Sequence, residues 1–104
     1  MSKYVLAYHG GSTPESESEQ AAVMTAWGAW FGALGDAVVD MGNPTGASTT
    51  LAADGSTAAG GGSNPITGYS LISATDLDAA VSLAKGCPIF ASGGTIEVAE
   101  AIEM

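Results

Sequence analysis

The sequence predicts a single α+β domain, its elements ordered as strand, helix, one or two strands, then strand, helix, strand. Three stretches carry this reading. The chain opens on a β-prone run, Lys3–His9. A long segment after Pro14 repeats large apolar residues at helical spacing. Thr67–Val98 then reads in succession as strand, capped helix, breaker, loop and strand. At 104 residues there is room for one modest core and not for two, so residues 1–104 form one domain.

In KYVLAYH, Tyr4, Leu6 and Tyr8 fall on one side and Val5, Ala7 and His9 on the other. Apolar residues on both sides suit a strand in mid-sheet, and Gly10-Gly11 ends it. Thr13 as N-cap with Pro14 at the first helical position, or Ser12 with Glu15 as a capping box, predicts the start of the first helix. Glu15, Glu17 and Glu19 place negative charge at the positive end of its dipole; spaced two apart on a helix, they do not converge on one cation. Val23, Trp27, Trp30 and Leu34 recur at +4, +3 and +4, with Ala26 and Phe31 beside them, which makes a core-facing stripe. Gly28, Gly32 and Gly35 share another face, fitting either the close approach of a second backbone or plain tolerance.

Asp36–Met41 predicts a short strand that Gly42-Asn43-Pro44 ends, and Ser48–Ala53 a weaker one. Asp54–Asn64 has four glycines and no apolar anchor, so a mobile hairpin loop is expected there. Its GGG is no phosphate loop, because no Lys follows and no helix opens after it. Ile66–Ala74, behind Pro65, predicts a strand. Thr75 offers an N-cap oxygen with Asp78 three residues on, and Leu77, Ala80, Val81 and Ala84 form the apolar stripe of a second helix. Lys85 lies in its last turn, Gly86 suits a left-handed C′ position, and Pro88 prevents continuation. After Gly93-Gly94, Thr95–Val98 alternates, with Ile96 and Val98 on one face and Glu97 on the other.

Eleven carboxylates against Lys3 and Lys85 give a net charge of −9. Such a surface repels phosphate backbones and anionic lipid heads, which excludes nucleic acid and membrane surfaces as partners. No apolar run approaches the roughly 20 residues of a membrane span. The amino-terminal segment lacks a basic stretch followed by a long apolar core, so no signal peptide is expected. Cys87 is alone, which rules out an internal disulfide and fits a reducing cytoplasm; between a helix stop and a proline it reads as structural. One His and one Cys far apart in sequence make no usual metal set, and no cofactor motif is present.

The opening KYVLAYHG, the helix AWGAWFGALGD and the block GYSLISATDLDAAVSLAKGCP…GGTIEV resemble, in their order, the YCII-related family, also called the DGPF family. The similarity spans nearly the whole chain and weakens between about residues 45 and 65. It implies a ferredoxin-like α+β fold, βαβ(β)βαβ, with an antiparallel sheet and two helices on one face, pairing through its sheets into a dimeric α/β barrel. Related barrel families include monooxygenases, lyases and dehalogenating enzymes, so the fold is a weak guide to chemistry. The family's Asp-Gly-Pro-Phe signature survives only as Asp54-Gly55. The Arg-Pro that commonly follows the last strand's Glu-Val is Ala99-Glu100 here, and the first helix lacks the His that some members pair with an Asp.

The chemistry on offer centres on His9, the one imidazole, at a strand end before two glycines. It suits a general acid or base, with Asp36, Asp40 or Glu97 as the carboxylate that orients it. No nucleophile-elbow pattern such as G-x-S-x-G accompanies the abundant serines. Three functions fit: a small barrel enzyme moving protons on a small organic molecule, by elimination or isomerisation; a binding or regulatory module that takes an apolar ligand against Trp27, Trp30 and Tyr69; or a structural domain. Strands apolar on both faces also predict a homodimer that covers the sheet side the helices do not reach.

Overall fold

A four-stranded antiparallel sheet carries the fold, in a computed structural model that describes residues 1–104. In chain order the elements are β1 (Ser2–His9), α1 (Glu17–Leu34), β2 (Val38–Pro44), β3 (Thr49–Leu51), β4 (Thr57–Ala59), β5 (Ile66–Ala74), α2 (Leu77–Ala84) and β6 (Thr95–Ala101). The sheet runs β2-β5-β1-β6, so each helix connects two parallel strands across a third that lies between them. This is the ferredoxin-like arrangement, and both helices lie on one face of the sheet.

β1 is central and sets the alternation of the whole layer. Tyr4, Leu6 and Tyr8 stand opposite Ile72, Ser70 and Gly68 of β5 on one side, and opposite Glu100, Val98 and Ile96 of β6 on the other. Their side chains meet Trp30 of α1, Ala80 and Ala84 of α2, and Cys87 and Ile89 of the connection that follows. Trp30 donates its indole N–H to the Leu83 carbonyl at 3.2 Å, which satisfies the one polar atom of a buried ring and ties the helices together. Buried Tyr8 donates to Ser70 at 2.7 Å, and Ser70 donates to the Met41 carbonyl at 2.7 Å, so no hydroxyl of that chain lacks an acceptor.

Several boundaries differ from the sequence expectation, each for a local reason. Helix α1 starts at Glu17 because Ser16, rather than Thr13 or Ser12, caps it: the Ser16 hydroxyl accepts from the Glu19 amide at 3.2 Å. Glu19 in turn accepts from the Glu15 amide at 3.0 Å, so the capping box is displaced by a few residues. Asp76, not Thr75, caps α2 by accepting from the Ala79 amide at 2.8 Å. Gly86 does not adopt a positive φ; a Cβ added there would lie 3.4 Å from the Trp30 ring, at ordinary contact distance, so neither conformation nor space requires a glycine at this position. Around Gly28 and Gly32 the space is open, so no second backbone approaches them.

Asp36 belongs to a 3₁₀ turn (Gly35–Ala37), and β2 begins only at Val38. It runs through Gly42-Asn43 because a bulge lets it continue: Gly42 has φ +74°, and a Cβ there would overlap the Tyr69 carbonyl. The segment expected as a loop over Asp54–Asn64 contains a strand instead. β3 and β4 pair as Thr49–Ala59, Thr50–Ala58 and Leu51–Thr57. Asp54 and Gly55, the latter at φ +89°, form the turn, which the Gly55 amide closes by donating to the Ala52 carbonyl at 3.0 Å. The Asp54 carboxylate accepts from the Ser56 hydroxyl at 2.6 Å and its amide at 2.9 Å, which holds the carboxyl below its ordinary pKa. This hairpin projects from the domain: every residue from Asn43 to Ala59 is exposed.

Candidate functional site

The end of β1 is where the sheet opens. Its pairing with β5 slips between Tyr8, opposite Gly68, and His9, opposite Ile66, leaving Thr67 as the extra residue of a bulge. Thr67 donates its hydroxyl to the Gly10 carbonyl at 3.1 Å and accepts from the Thr45 amide at 3.0 Å through its own carbonyl. Gly10 and Gly11, at φ +73° and +92°, then swing the chain off the sheet, a path that residues with a Cβ rarely follow. The Ser12 amide donates to the Ser92 carbonyl at 2.9 Å and pins the turn to the segment after α2.

Above this bend α1 passes without filling the space. The result is an open cleft of about 710 Å³. Ala22, Val23, Ala26 and Trp27 of α1 wall one side, Gly10–Pro14 the floor, and Pro88, Ile89 and Ser92 the far side. Trp27 is the anchor: its ring meets Tyr8 edge-on at 5.2 Å and Trp30 edge-on at 5.7 Å, so packing from below fixes it. Five hydroxyl residues reach the lining, Ser12, Thr13, Thr45, Thr67 and Ser92, against one carboxylate, Glu19, and no cation. The wall recognises shape and apolar surface, with neutral hydroxyls to orient a guest.

His9 lies on the opposite face of the sheet. Its Nδ1 is 3.0 Å from the Asn64 carbonyl and 3.2 Å from that of Pro65. Carbonyls only accept, so Nδ1 carries a proton. Nε2 faces the Glu97 Oε1 at 3.5 Å and is closed off from solvent, though 14% of the side chain is exposed. Glu97, 72% exposed, reaches it because β6 sets Glu97 opposite Ala7, on the His9 side of the sheet.

Of the carboxylates proposed for His9, the structure brings only Glu97. Asp40 pairs with Leu71, which pairs with Val5, four residues before His9, and it caps the Gly42 amide at 2.8 Å. Asp36 lies beyond the other end of the sheet, beside Met1 and Ala74, in a second open hollow of about 490 Å³. The reason is direction: β2 runs parallel to β1, so its start lies next to the start of β1 and not next to His9. Trp27 lines the cleft, whereas Trp30 is spent in the core and Tyr69 sits on the far face, accepting from the Asn43 amide group at 3.3 Å. The hydroxyl residues and the double-glycine floor are the lining that sequence reasoning missed. Their one signal was Gly10-Gly11, read only as a strand end.

No three His, Cys, Asp or Glu side chains group closely enough to hold a metal ion, and no helix is long and apolar enough to cross a membrane. Compared with protein-family models, with curated proteins and with solved structures, the chain has no match in any of the three.

Proposed function

We propose that this chain is a YCII-like binding module that takes a small, uncharged organic molecule against Trp27, in the cleft beneath α1. The observation that carries the reading is the lining itself: a fixed indole, small apolar residues and hydroxyls, with Glu19 as the only charge. Glu19 and the net charge of −9 both disfavour an anionic ligand. A cytoplasmic location fits the lone Cys87, which is buried and unpaired. A thermal-shift screen of neutral aromatic and alicyclic compounds tests this. Binders raise Tm and quench tryptophan emission, and Ala26→Trp, which fills the cleft from α1, removes both effects. A panel that binds equally well to Ala26→Trp would refute the site.

His9 and Glu97 favour a second reading, proton transfer on a small organic substrate. A carbonyl-held Nδ1 proton directs Nε2 as the working nitrogen, and Glu97 is the carboxylate beside it. It ranks second because Nε2 is closed off from solvent and His9 lines neither the cleft beneath α1 nor the hollow beside Asp36. An activity lost in His9→Gln and Glu97→Gln, with Tm unchanged, would reverse the order.

A further inference from the structure

Resting on the binding role proposed for the cleft beneath α1, we infer that its guest is a neutral polyhydroxylated ring, a monosaccharide or cyclitol. The walls of the cleft accept hydrogen bonds and its floor can donate them. A hydroxyl is the uncharged group that answers both from one atom.

The wall hydroxyls have already committed their protons. Thr45 donates to the Ile66 carbonyl at 3.1 Å, Thr67 to the Gly10 carbonyl at 3.1 Å and Ser92 to the Ile89 carbonyl at 3.0 Å. A hydroxyl has one proton and two lone pairs, so each of these oxygens still accepts. The Ser12 and Thr45 amides are committed likewise, to the Ser92 and Thr67 carbonyls. Pro14, Pro44 and Pro88, all in the lining, have no N–H to give. Glu19 adds a further acceptor. The Glu15 amide, 3.0 Å from its Oε2, anchors the carboxylate at the start of α1 and leaves Oε1 to a guest.

The floor differs. The Gly11 and Thr13 amides bond to no backbone carbonyl, and the Ser12 and Thr13 hydroxyls can turn to donate or accept. A ketone or ether is served by the floor alone and leaves the wall acceptors unmatched. An organic ammonium carries its protons at one nitrogen, so it meets Glu19 and leaves the other acceptors to water. The four acceptors come from four parts of the chain: α1, the end of β2, β5 and the segment after α2. A ring with hydroxyls around its rim donates in as many directions, while its C–H groups rest against half-buried Trp27.

Calorimetric titration of the intact protein with saturated rings of one size tests this, with tryptophan emission as a second readout. myo-Inositol and glucose are expected to bind, and Ala26→Trp to abolish both. Cyclohexanone, which only accepts, and cyclohexylammonium, which only donates, are expected to bind about tenfold more weakly, the loss of one or two hydrogen bonds. Glu19→Gln, which puts a donor where an acceptor was, should weaken inositol about threefold or more and leave cyclohexanone unchanged. Cyclohexanone or cyclohexylammonium binding as well as inositol, with Ala26→Trp abolishing it, overturns the polyhydroxylated guest and leaves the cleft standing. If no ring binds in a way that Ala26→Trp removes, the cleft falls with it.

Discussion

Tyr8 and Cys87 are the residues at which the core meets proton chemistry. Burial pushes the Tyr8 phenol up to about 12 from its ordinary 10.0, with the Ser70 hydrogen bond pulling the other way. Burial likewise pushes the Cys87 thiol from 9.0 to about 11. Both groups are neutral when protonated, and the folded state favours that form. The native protein thus holds protons that the unfolded chain has released, and its stability falls as pH rises. The loss begins near 9.0, where unfolded Cys87 ionises, and is complete by about 12, the folded value of Tyr8. Urea midpoints measured from pH 8 to 11 should decline, and Cys87→Ala should delay the onset toward pH 10, where unfolded Tyr8 takes over. Tyr8→Phe should cost about 1 kcal/mol, because Ser70 keeps its bond to the Met41 carbonyl while losing a donor. Gly42→Ala should cost more, about 1–3 kcal/mol in a denaturant titration, since it adds a Cβ at positive φ and against the Tyr69 carbonyl.

Helix α1 is two structures joined end to end. Trp27, Trp30, Phe31 and Leu34 hold its second half to the core, whereas every residue from Glu17 to Ala26 is exposed. Amides in the first half should exchange with solvent far faster than those of Trp27–Leu34. Ser16→Ala, worth about 1 kcal/mol as a cap, should quicken that exchange and move Tm little. This division also shows where the sequence was legible. The stripe Val23–Leu34 marked the helix and its buried end, though Val23 proves exposed over the cleft. Ile66–Ala74 was legible to the residue, because alternation over nine positions leaves little freedom of register. Caps were not, since Ser12, Thr13 and Ser16, or Thr75 and Asp76, are chemically equivalent and only the path of the chain chooses among them. Strand β4 escaped notice because Thr57–Ala59 has no apolar anchor; its pairing comes from the Asp54-Gly55 turn. At the candidate site, Trp27 and Glu97 were legible from periodicity, but pairing His9 with Asp36 or Asp40 needed the relative direction of β1 and β2, which no local pattern records. The cleft was invisible for a related reason, because it is a gap between elements.

The whole molecule is flat and wide, about 44 × 42 × 18 Å, with a radius of gyration of 14.9 Å, against about 13 Å for a compact chain of this size. Repulsion among eleven carboxylates works against the fold, so raising salt from about 0.01 to 0.5 M should raise Tm by several degrees in a calorimetric scan. The same uneven charge gives the protein an orientation in an electric field. On a positively charged surface, an anion-exchange bead or an amine-coated sensor, it should settle with its acidic body down and the hairpin, whose one charge is Asp54, turned outward. Immobilised this way it would present one end to solution without any engineered tag, and the Asp54-Gly55 tip would be the first place a protease met.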